Sequence, residues 1–361
     1  MTTAKIPTTV ITGFLGAGKT TMIRNLLQNA DGRKIALIIN EFGDLGVDGE
    51  VLKGCGIESC AEDDIVELTN GCICCTVADD FIPTMTALLA REQRPDHIII
   101  ETSGLALPQP LVAAFNWPEI KTQVTVDGVV TVIDAAAVSQ GRFAHDHDAL
   151  DAQRRADDEL DHESPLEELF EDQIRAADMI VLNKTDLVDA AALSSVKAQV
   201  SGEVDRPLQI VSASHGVLPV DVLLGLDAAT ENEIAKRKSH HELHHEHHHD
   251  HDDDDDHHHH HDHHHDDFES FVVSAGSVSD VDGFIERLRA TLTDHDVLRC
   301  KGFIDVPGKP MRLVVQAVGS RIDSYYDRPW QAEEQRGTRL VMIGVHGLDR
   351  DAIDADVKGA V

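Results

Sequence analysis

The octapeptide Gly13–Thr20, GFLGAGKT, constrains the fold more than any other part of the chain. It matches the pattern GxxxxGK[ST], and it lies between a short β-branched run, Thr8–Thr12, and an amphipathic stretch, Lys19–Asn29. In a strand–loop–helix context the glycines let backbone N–H groups turn toward a phosphate at the positive end of the helix. The pattern therefore predicts a nucleoside triphosphate site on an α/β sheet.

Each position of this phosphate loop has a predicted role. Lys19 is expected to reach the β- and γ-phosphates and to assist catalysis, and the Thr20 hydroxyl is expected to ligate Mg²⁺. Thr21 is expected to contact the α-phosphate. The other predicted nucleotide-binding positions contribute mainly backbone, and they are Gly13, Gly16, Ala17 and Gly18.

The chain reads as two folded parts joined by an unusual segment. Along the first 226 residues apolar β-branched runs alternate with amphipathic stretches, which is typical of a mostly parallel sheet with flanking helices. Ser239–Asp267 holds 16 His and 11 Asp+Glu but no Lys or Arg, so it cannot bury apolar surface and is expected to be a disordered tether. We predict a nucleotide-binding α/β domain at 1–226, a linker at 227–267 and a small α+β domain at 268–361.

A second motif indicates which base is bound. Asn183, Lys184 and Asp186 belong to an NKTD sequence that follows an apolar strand. A fixed carboxylate at Asp186 can accept hydrogen bonds from guanine N1–H and N2–H₂, whereas adenine offers no matching pair of donors. Lys184 is expected to lie over the purine, and Ser212 and Ala213 to close over it. The four-letter pattern is weak alone, but with the phosphate loop it predicts a GTP site.

Acidic side chains near this site predict Mg²⁺ binding. Glu101 ends a predicted strand in the sequence ETSG and is expected to hold Mg²⁺ through water, while Gly104 lets the backbone approach the γ-phosphate. We count both residues as catalytic. The alternative is that Thr102 or Ser103 merely caps a helix.

The loop NEFGDLGVD, after the second predicted strand, supplies further candidate ligands. Asp44 or Asp48 is expected to approach Mg²⁺, and Glu41 to ligate a second metal. An ordinary solvated acidic loop explains each of these residues equally well.

Three thiols occur within four positions, in the sequence NGCICC; they are Cys72, Cys74 and Cys75. Soft thiolates select Co²⁺, Zn²⁺ or Cu⁺ over Mg²⁺ and Ca²⁺, so we predict a transition-metal site here. Cys55 and Cys60 are either auxiliary ligands or unrelated thiols. Cys300 stands apart and is expected to be a small buried hydrophobe.

The charge balance narrows the classes of partner. The chain has 31 Lys+Arg against 65 Asp+Glu, a net charge of −34, which disfavours binding to nucleic acid or to an anionic membrane surface. Cations are favoured instead. No apolar run approaches the length of a membrane span, and the clustered cysteines suit a reducing compartment, so we expect a cytoplasmic protein.

Taken in order, GFLGAGKT, NEFGDLGVD, NGCICC, ETSG and NKTD resemble the CobW family of metal-handling P-loop GTPases. LPQPLVAAFNWP and VPGKPMRLVVQAVG look like the branch of that family linked to aerobic cobalamin biosynthesis. The resemblance implies a GTPase domain, a smaller C-terminal domain, Mg²⁺–GTP binding and a transition metal on the three thiols, with Glu41 as a further candidate ligand. It also implies delivery of Co²⁺ to a cobaltochelatase.

These features lead to the hypothesis of a nucleotide-gated metal carrier in which GTP hydrolysis releases the metal. A zinc chaperone of the same family is the first alternative, because Zn²⁺ binds such ligands more tightly than Co²⁺. A second alternative is a metal buffer built on the imidazoles of the tether. We also expect a dimer linked by nucleotide or metal. A kinase would explain neither NKTD nor the thiols.

Overall fold

The computed structural model describes residues 5–30, 32–40, 65–68, 81–144, 166–237, 268–319, 321–331, 334, 336–345 and 347–360. The chain divides into two compact units, Met1–His263 and His264–Val361. Among the described residues, no helix is long and apolar enough to cross a membrane.

The first unit is built on a seven-stranded parallel sheet with the strand order β3-β2-β4-β1-β5-β6-β7. The strands are β1 (Ile6–Thr12), β2 (Ile35–Asn40), β3 (Ile65–Leu68), β4 (His97–Glu101), β5 (Val124–Asp134), β6 (Met179–Asn183) and β7 (Gln209–Ser212). The helices are α1 (Lys19–Gln28), α2 (Ile82–Leu89), α3 (Pro108–Ala114), α4 (Ala135–Val138), α5 (Leu166–Ala176), α6 (Ala190–Gly202) and α7 (Val220–Leu223). The predicted mostly parallel α/β fold is confirmed.

The central strands are buried along almost their whole length, and mostly apolar, because helices cover both faces of the sheet. Every residue of β4 and of β6 is buried. On one face, Phe81 and Phe115 pack with their ring centroids 5.5 Å apart against the sheet core. Burial on both faces removes the alternation that marks a half-exposed strand, and so the sequence shows continuous β-branched runs.

The strand register places the predicted functional segments at one edge. Glu101 pairs with Ile11 of β1 on one side and with Ile39 of β2 on the other. The strands β5, β6 and β7 also end at this edge, at Asp134, Asn183 and Ser212. Ligands of open parallel sheets bind beyond the carboxyl ends of the strands, and this edge is therefore the candidate site.

A buried polar cluster lies toward the opposite edge. The Thr9 hydroxyl donates to Asp127 Oδ2 at 3.3 Å, and its oxygen lies 2.8 Å from His97 Nε2. Since Thr9 has one proton to give, Nε2–H of a neutral His97 is the donor in the second contact. Burial lowers the pKa of His97 to about 4, with Arg33 adding to the effect and Asp127 opposing it.

Residues 227–237, assigned to the linker by the sequence, are packed on the first unit as a clasp. Its 3₁₀ turns are Thr230–Asn232 and Ile234–Lys236. Glu231 accepts from the Thr125 hydroxyl and from Val126 N–H, and Arg237 pairs with Asp178 at 2.5 Å. No local pattern predicts this packing, because the clasp is short and mostly polar and its anchoring depends on partners far away along the chain.

The second unit contains a five-stranded antiparallel sheet with the order β11-β10-β9-β12-β8. Its elements are β8 (Phe268–Ala275), α8 (Val281–Asp294), β9 (Val297–Ile304), β10 (Met311–Val318), β11 (Arg321–Pro329), β12 (Thr338–Val345) and α9 (Arg350–Gly359). Asp280 and Asp349 cap the two helices through their carboxylates. Cys300 is buried among the apolar residues of this sheet, as predicted, and burial raises the pKa of its thiol to about 12.

We predict that acid destabilises the first unit through His97. Its pKa is lower in the folded chain than in the unfolded chain, so the unfolded state binds the proton first. The stability is fully present above about pH 6.5 and declines as the pH falls toward 4. This single group should cost about 2 kcal/mol at pH 5.

The measurement is urea unfolding at pH 7.5 and pH 5.0, compared with His97→Gln, which stays neutral at both. The chain has two tryptophans, so a Trp330→Phe background reports the first unit through Trp117 alone. His295→Gln, in the second unit, is the matched control. An unchanged pH dependence in His97→Gln would show that another group is responsible.

Candidate functional site

The phosphate loop holds the Lys19 ammonium inside its own turn. Lys19 Nζ donates to Gly13 O at 2.7 Å and to Phe14 O at 3.4 Å, and the residue is 8% exposed. Gly18 has a φ of +101°, which a residue with a side chain rarely adopts. These contacts aim one positive charge at the start of α1, where backbone N–H groups also favour an anion.

The predicted Mg²⁺ ligands Thr20 and Glu101 contact each other. The Thr20 hydroxyl donates to Glu101 Oε1 at 3.0 Å, and Glu101 is 4% exposed. A hydroxyl and a carboxylate beside the phosphate loop are the hard oxygen donors that Mg²⁺ prefers. The donor set therefore fits Mg²⁺.

Gly104 lies directly against the phosphate loop. A Cβ at this position would be 2.8 Å from the backbone nitrogen of Leu15, so only glycine fits without a shift. The segment is tied to the sheet through Thr102 N–H, which donates to Ile11 O at 3.0 Å. Neither Thr102 nor Ser103 caps α3, because that helix begins at Pro108 after Leu107. The helix-cap interpretation of ETSG is wrong.

The Asn183 side chain joins the two halves of the predicted nucleotide site. Its amide donates to Ala17 O in the phosphate loop, and its carbonyl accepts from Gly216 N–H, both at 2.9 Å. A Cβ at Gly18 would be 2.3 Å from this amide, so the loop and the NKTD motif are in close contact. One buried side chain thus fixes the distance between the phosphate loop and the segment after β7.

Lys184 is held by a partner that lies outside the predicted motifs. Its ammonium contacts Asp134 Oδ2 at 2.6 Å, and Asp134 also caps α4 by accepting from Ala137 N–H. Lys184 has a φ of +61°, an uncommon conformation for a residue with a side chain. The signal for Asp134 is its place at the end of β5, the longest strand, level with Asn183 in the register.

The remaining nucleotide-binding candidates are Thr21, Asp186, Ser212 and Ala213. Asp186 Oδ2 lies 3.7 Å from the exposed ring of His215, which the sequence analysis did not single out. Ser212 Oγ is buried and has no hydrogen-bond partner among the described residues. The Ala213 N–H donates to Leu182 O at 2.8 Å, so a backbone donor to the base has to come from the residues that follow it. Thr21 lies on α1, partly buried, next to Thr20.

Several predicted ligands lie outside the described residues. They are the thiols Cys72, Cys74 and Cys75, the carboxylates Glu41, Asp44 and Asp48, and the cysteines Cys55 and Cys60. Within the part of the chain that the structure describes, no group of three or more His, Cys, Asp or Glu side chains is placed to hold a metal ion.

Models of known families match both units. The CobW/HypB/UreG nucleotide-binding domain matches residues 7–212, and the cobalamin synthesis protein CobW C-terminal domain matches residues 268–361.

Three relatives are similar along almost their full length. A protein named zinc chaperone CobW from Sinorhizobium sp. is 66% identical, with 100% of each chain covered. A protein of the same name from Pseudomonas aeruginosa is 52% identical, covering 100% of this chain and 92% of its own. Zinc chaperone YjiA from Escherichia coli is 28% identical, with 98% of each chain covered.

We predict that Asn183→Asp weakens nucleotide binding by about tenfold or more. The carboxylate keeps the acceptor for Gly216 N–H, but it loses the donor to Ala17 O and places a negative charge against that carbonyl. Titration with a fluorescent GTP analogue measures the loss.

Asn232→Asp is the matched control, since Asn232 makes the same kind of bond, to Ala229 O, on the exposed clasp. Thermal melting of both variants separates a loss of fold from a loss of binding. Equal affinities in the two folded variants would contradict the bridging role of Asn183.

Proposed function

The chain belongs to the CobW/HypB/UreG family of P-loop GTPases, and we propose that it is a zinc chaperone whose grip on the metal depends on the bound guanine nucleotide. The observation that carries the coupling is the strand register. Leu68 at the end of β3 pairs with Asn40 of β2, whose preceding residue Ile39 pairs with Glu101. The chain that leads to the thiols therefore starts two strands from the Mg²⁺ ligands.

The distances involved support this coupling. Neighbouring strands lie about 4.8 Å apart, so the ends of β3 and β4 are about 10 Å apart. Cys72 follows Leu68 by four residues, a reach of at most about 14 Å. Glu41 directly follows Asn40, at the next strand end. Both sets of candidate metal ligands thus follow, within a few residues of sequence, strands that end at the same edge as Glu101.

The phosphate end of the site binds the triphosphate of GTP. Lys19 and the backbone N–H groups of the loop hold the β- and γ-phosphates, and the Gly104 backbone contacts the γ-phosphate. Thr20 and Glu101 are the residues that hold Mg²⁺, which when bound neutralises charge that develops on the phosphate oxygens. Asp44 and Asp48 are further candidates for this role.

The base end of the site reads guanine. The Asp186 carboxylate accepts from guanine N1–H and N2–H₂, and Lys184, steadied by Asp134, covers the purine. Ser212 Oγ, level with Leu182 in the register, is a buried polar atom that has no hydrogen-bond partner among the described residues and can bind the base. Asn183 keeps both ends of the site at a fixed separation.

The cargo is a transition metal on Cys72, Cys74 and Cys75, with Glu41 as an additional ligand. Two full-length relatives, at 66% and 52% identity, are named zinc chaperones. Thiolates hold Zn²⁺ more tightly than Co²⁺, so zinc is the cargo that ligand chemistry favours. Cobalt delivery to a cobaltochelatase subunit is the second candidate, because the same donors accept Co²⁺ when it is the available ion.

Hydrolysis links the two sites. Loss of the γ-phosphate removes a ligand of the Gly104 backbone, which follows β4, two strands from the strand that leads to the thiols. By reciprocity, metal binding must tighten GTP binding by the same factor. A cytoplasmic location and a dimer linked by nucleotide or metal stay predictions.

We predict that Zn²⁺ binds the chain 5- to 100-fold more tightly with a non-hydrolysable GTP analogue than with GDP, roughly the range of a coupling of about 1–3 kcal/mol. Competition against a chromophoric chelator measures both affinities. Cys74→Ala should abolish the difference. Cys300→Ala, which removes a buried thiol in the second unit, should retain it.

The same titration separates the alternatives. Equal Zn²⁺ affinities in the two nucleotide states would discard the gate. If only Co²⁺ shows the difference, the cargo is cobalt. If deleting Ser239–Asp267 abolishes metal binding while Cys74→Ala does not, the chain is a metal buffer.

We further predict that Asp186→Asn shifts the preference from GTP to XTP by about a hundredfold or more. The asparagine amide donates to the C2 carbonyl of xanthine and no longer accepts from the amino group of guanine. Competition between the two nucleotides measures the shift. Asp189→Asn is the control, since asparagine caps α6 as well as aspartate does. An unchanged preference would rule out Asp186 as the base reader.

A further inference from the structure

Gln173 is a buried polar residue that belongs to none of the sequence motifs. It lies on α5 and is 1% exposed. Its Nε2 donates to Gly104 O and to Ala106 O, each at 3.1 Å. One amide thus holds two carbonyls of the segment that follows Glu101.

The main chain of Gln173 is itself fixed to the sheet. Its carbonyl accepts from the Thr131 hydroxyl at 2.9 Å. Thr131 lies on β5, where it pairs with Thr12, the residue that precedes the phosphate loop. Through Thr131, Gln173 is therefore fixed to β5, the strand that lies next to β1 and its phosphate loop.

Gly104 is enclosed from both sides. The Leu15 backbone lies so close on one side that a Cβ would not fit, and the Gln173 amide binds the Gly104 carbonyl. Leu105 and Ala106 are fully buried beside it. The path of the Gly104 backbone is thus set by the phosphate loop and by Gln173 together.

The other end of the amide is its acceptor, Oε1. Gln173 Oε1 is buried and has no hydrogen-bond partner among the described residues. A buried acceptor without a partner costs stability, and an apolar side chain of similar size would avoid that cost. The residue is better explained by what its Nε2 holds than by packing alone.

We propose that Gln173 is a positioning residue for the γ-phosphate. By holding the carbonyls of Gly104 and Ala106, Gln173 orients the backbone between them. The Gly104 backbone is therefore already in position when the γ-phosphate binds. This inference rests on the proposed function and deepens it. Since GDP has no γ-phosphate, the effect of Gln173 is confined to the triphosphate.

The test compares GTP-analogue and GDP affinities in the full chain carrying Gln173→Leu. We expect the affinity for a non-hydrolysable GTP analogue to fall about tenfold, as for the loss of two hydrogen bonds, with GDP affinity unchanged. Gln173→Glu keeps the size of the side chain but cannot donate when ionised. This variant should also lose affinity for the GTP analogue but not for GDP. It replaces Gln173→Leu in the test if the leucine variant does not fold.

Gln109→Leu is the matched control. Gln109 lies on α3, donates to Asp172 O at 3.3 Å and also has a buried Oε1 with no partner among the described residues, but it holds no carbonyl of the Gly104 segment. It should leave both affinities unchanged.

A Gln173 variant that binds GDP and the GTP analogue equally weakly, or both as tightly as the parent chain, would overturn the positioning role. A parent chain that binds neither nucleotide would instead overturn the proposed function.

Discussion

A sheet whose strands all run the same way brings the functional segments of this chain to one edge. The phosphate loop after β1, the segment after Glu101 and the NKTD motif after β6 are far apart in sequence, yet the parallel register lines up their strands. Local contacts then set the fine geometry. Lys19 turns into its own loop, Thr20 meets Glu101, and Asn183 spans the two halves of the site.

The sequence predicted this edge well because each motif follows a strand that is buried on both faces. The strands β2, β4 and β6 are short apolar runs of this kind, and Thr20 and Glu101, each predicted separately to hold Mg²⁺, are in direct contact. In the second unit the alternation of buried residues along β12 and the Asp349 cap of α9 are features of the same local kind. Such features depend on local patterns, which one sequence displays.

Other features depend on partners that no local pattern reveals. Asp134 and Gln173 act through Lys184 and Gly104, from which they are separated by 50 and 69 residues. The short helix α3 begins with two prolines in three positions, which look like a loop in sequence. The buried trio of Thr9, His97 and Asp127 combines polar side chains from three strands. Their hydrogen bonds can therefore be recognised only when the pairing of the strands is known.

The clasp determines on which side of the first unit the chain leaves the sheet. Arg237 is pinned beside Asp178, just before β6 begins, whereas the nucleotide binds where the strands end. Val126, which binds Glu231 of the clasp, lies eight residues before Asp134 at the end of β5. Eight residues of a strand correspond to about 25 Å along the sheet. The last described residue of the clasp, Arg237, thus lies on the side of the first unit that is remote from the phosphate loop.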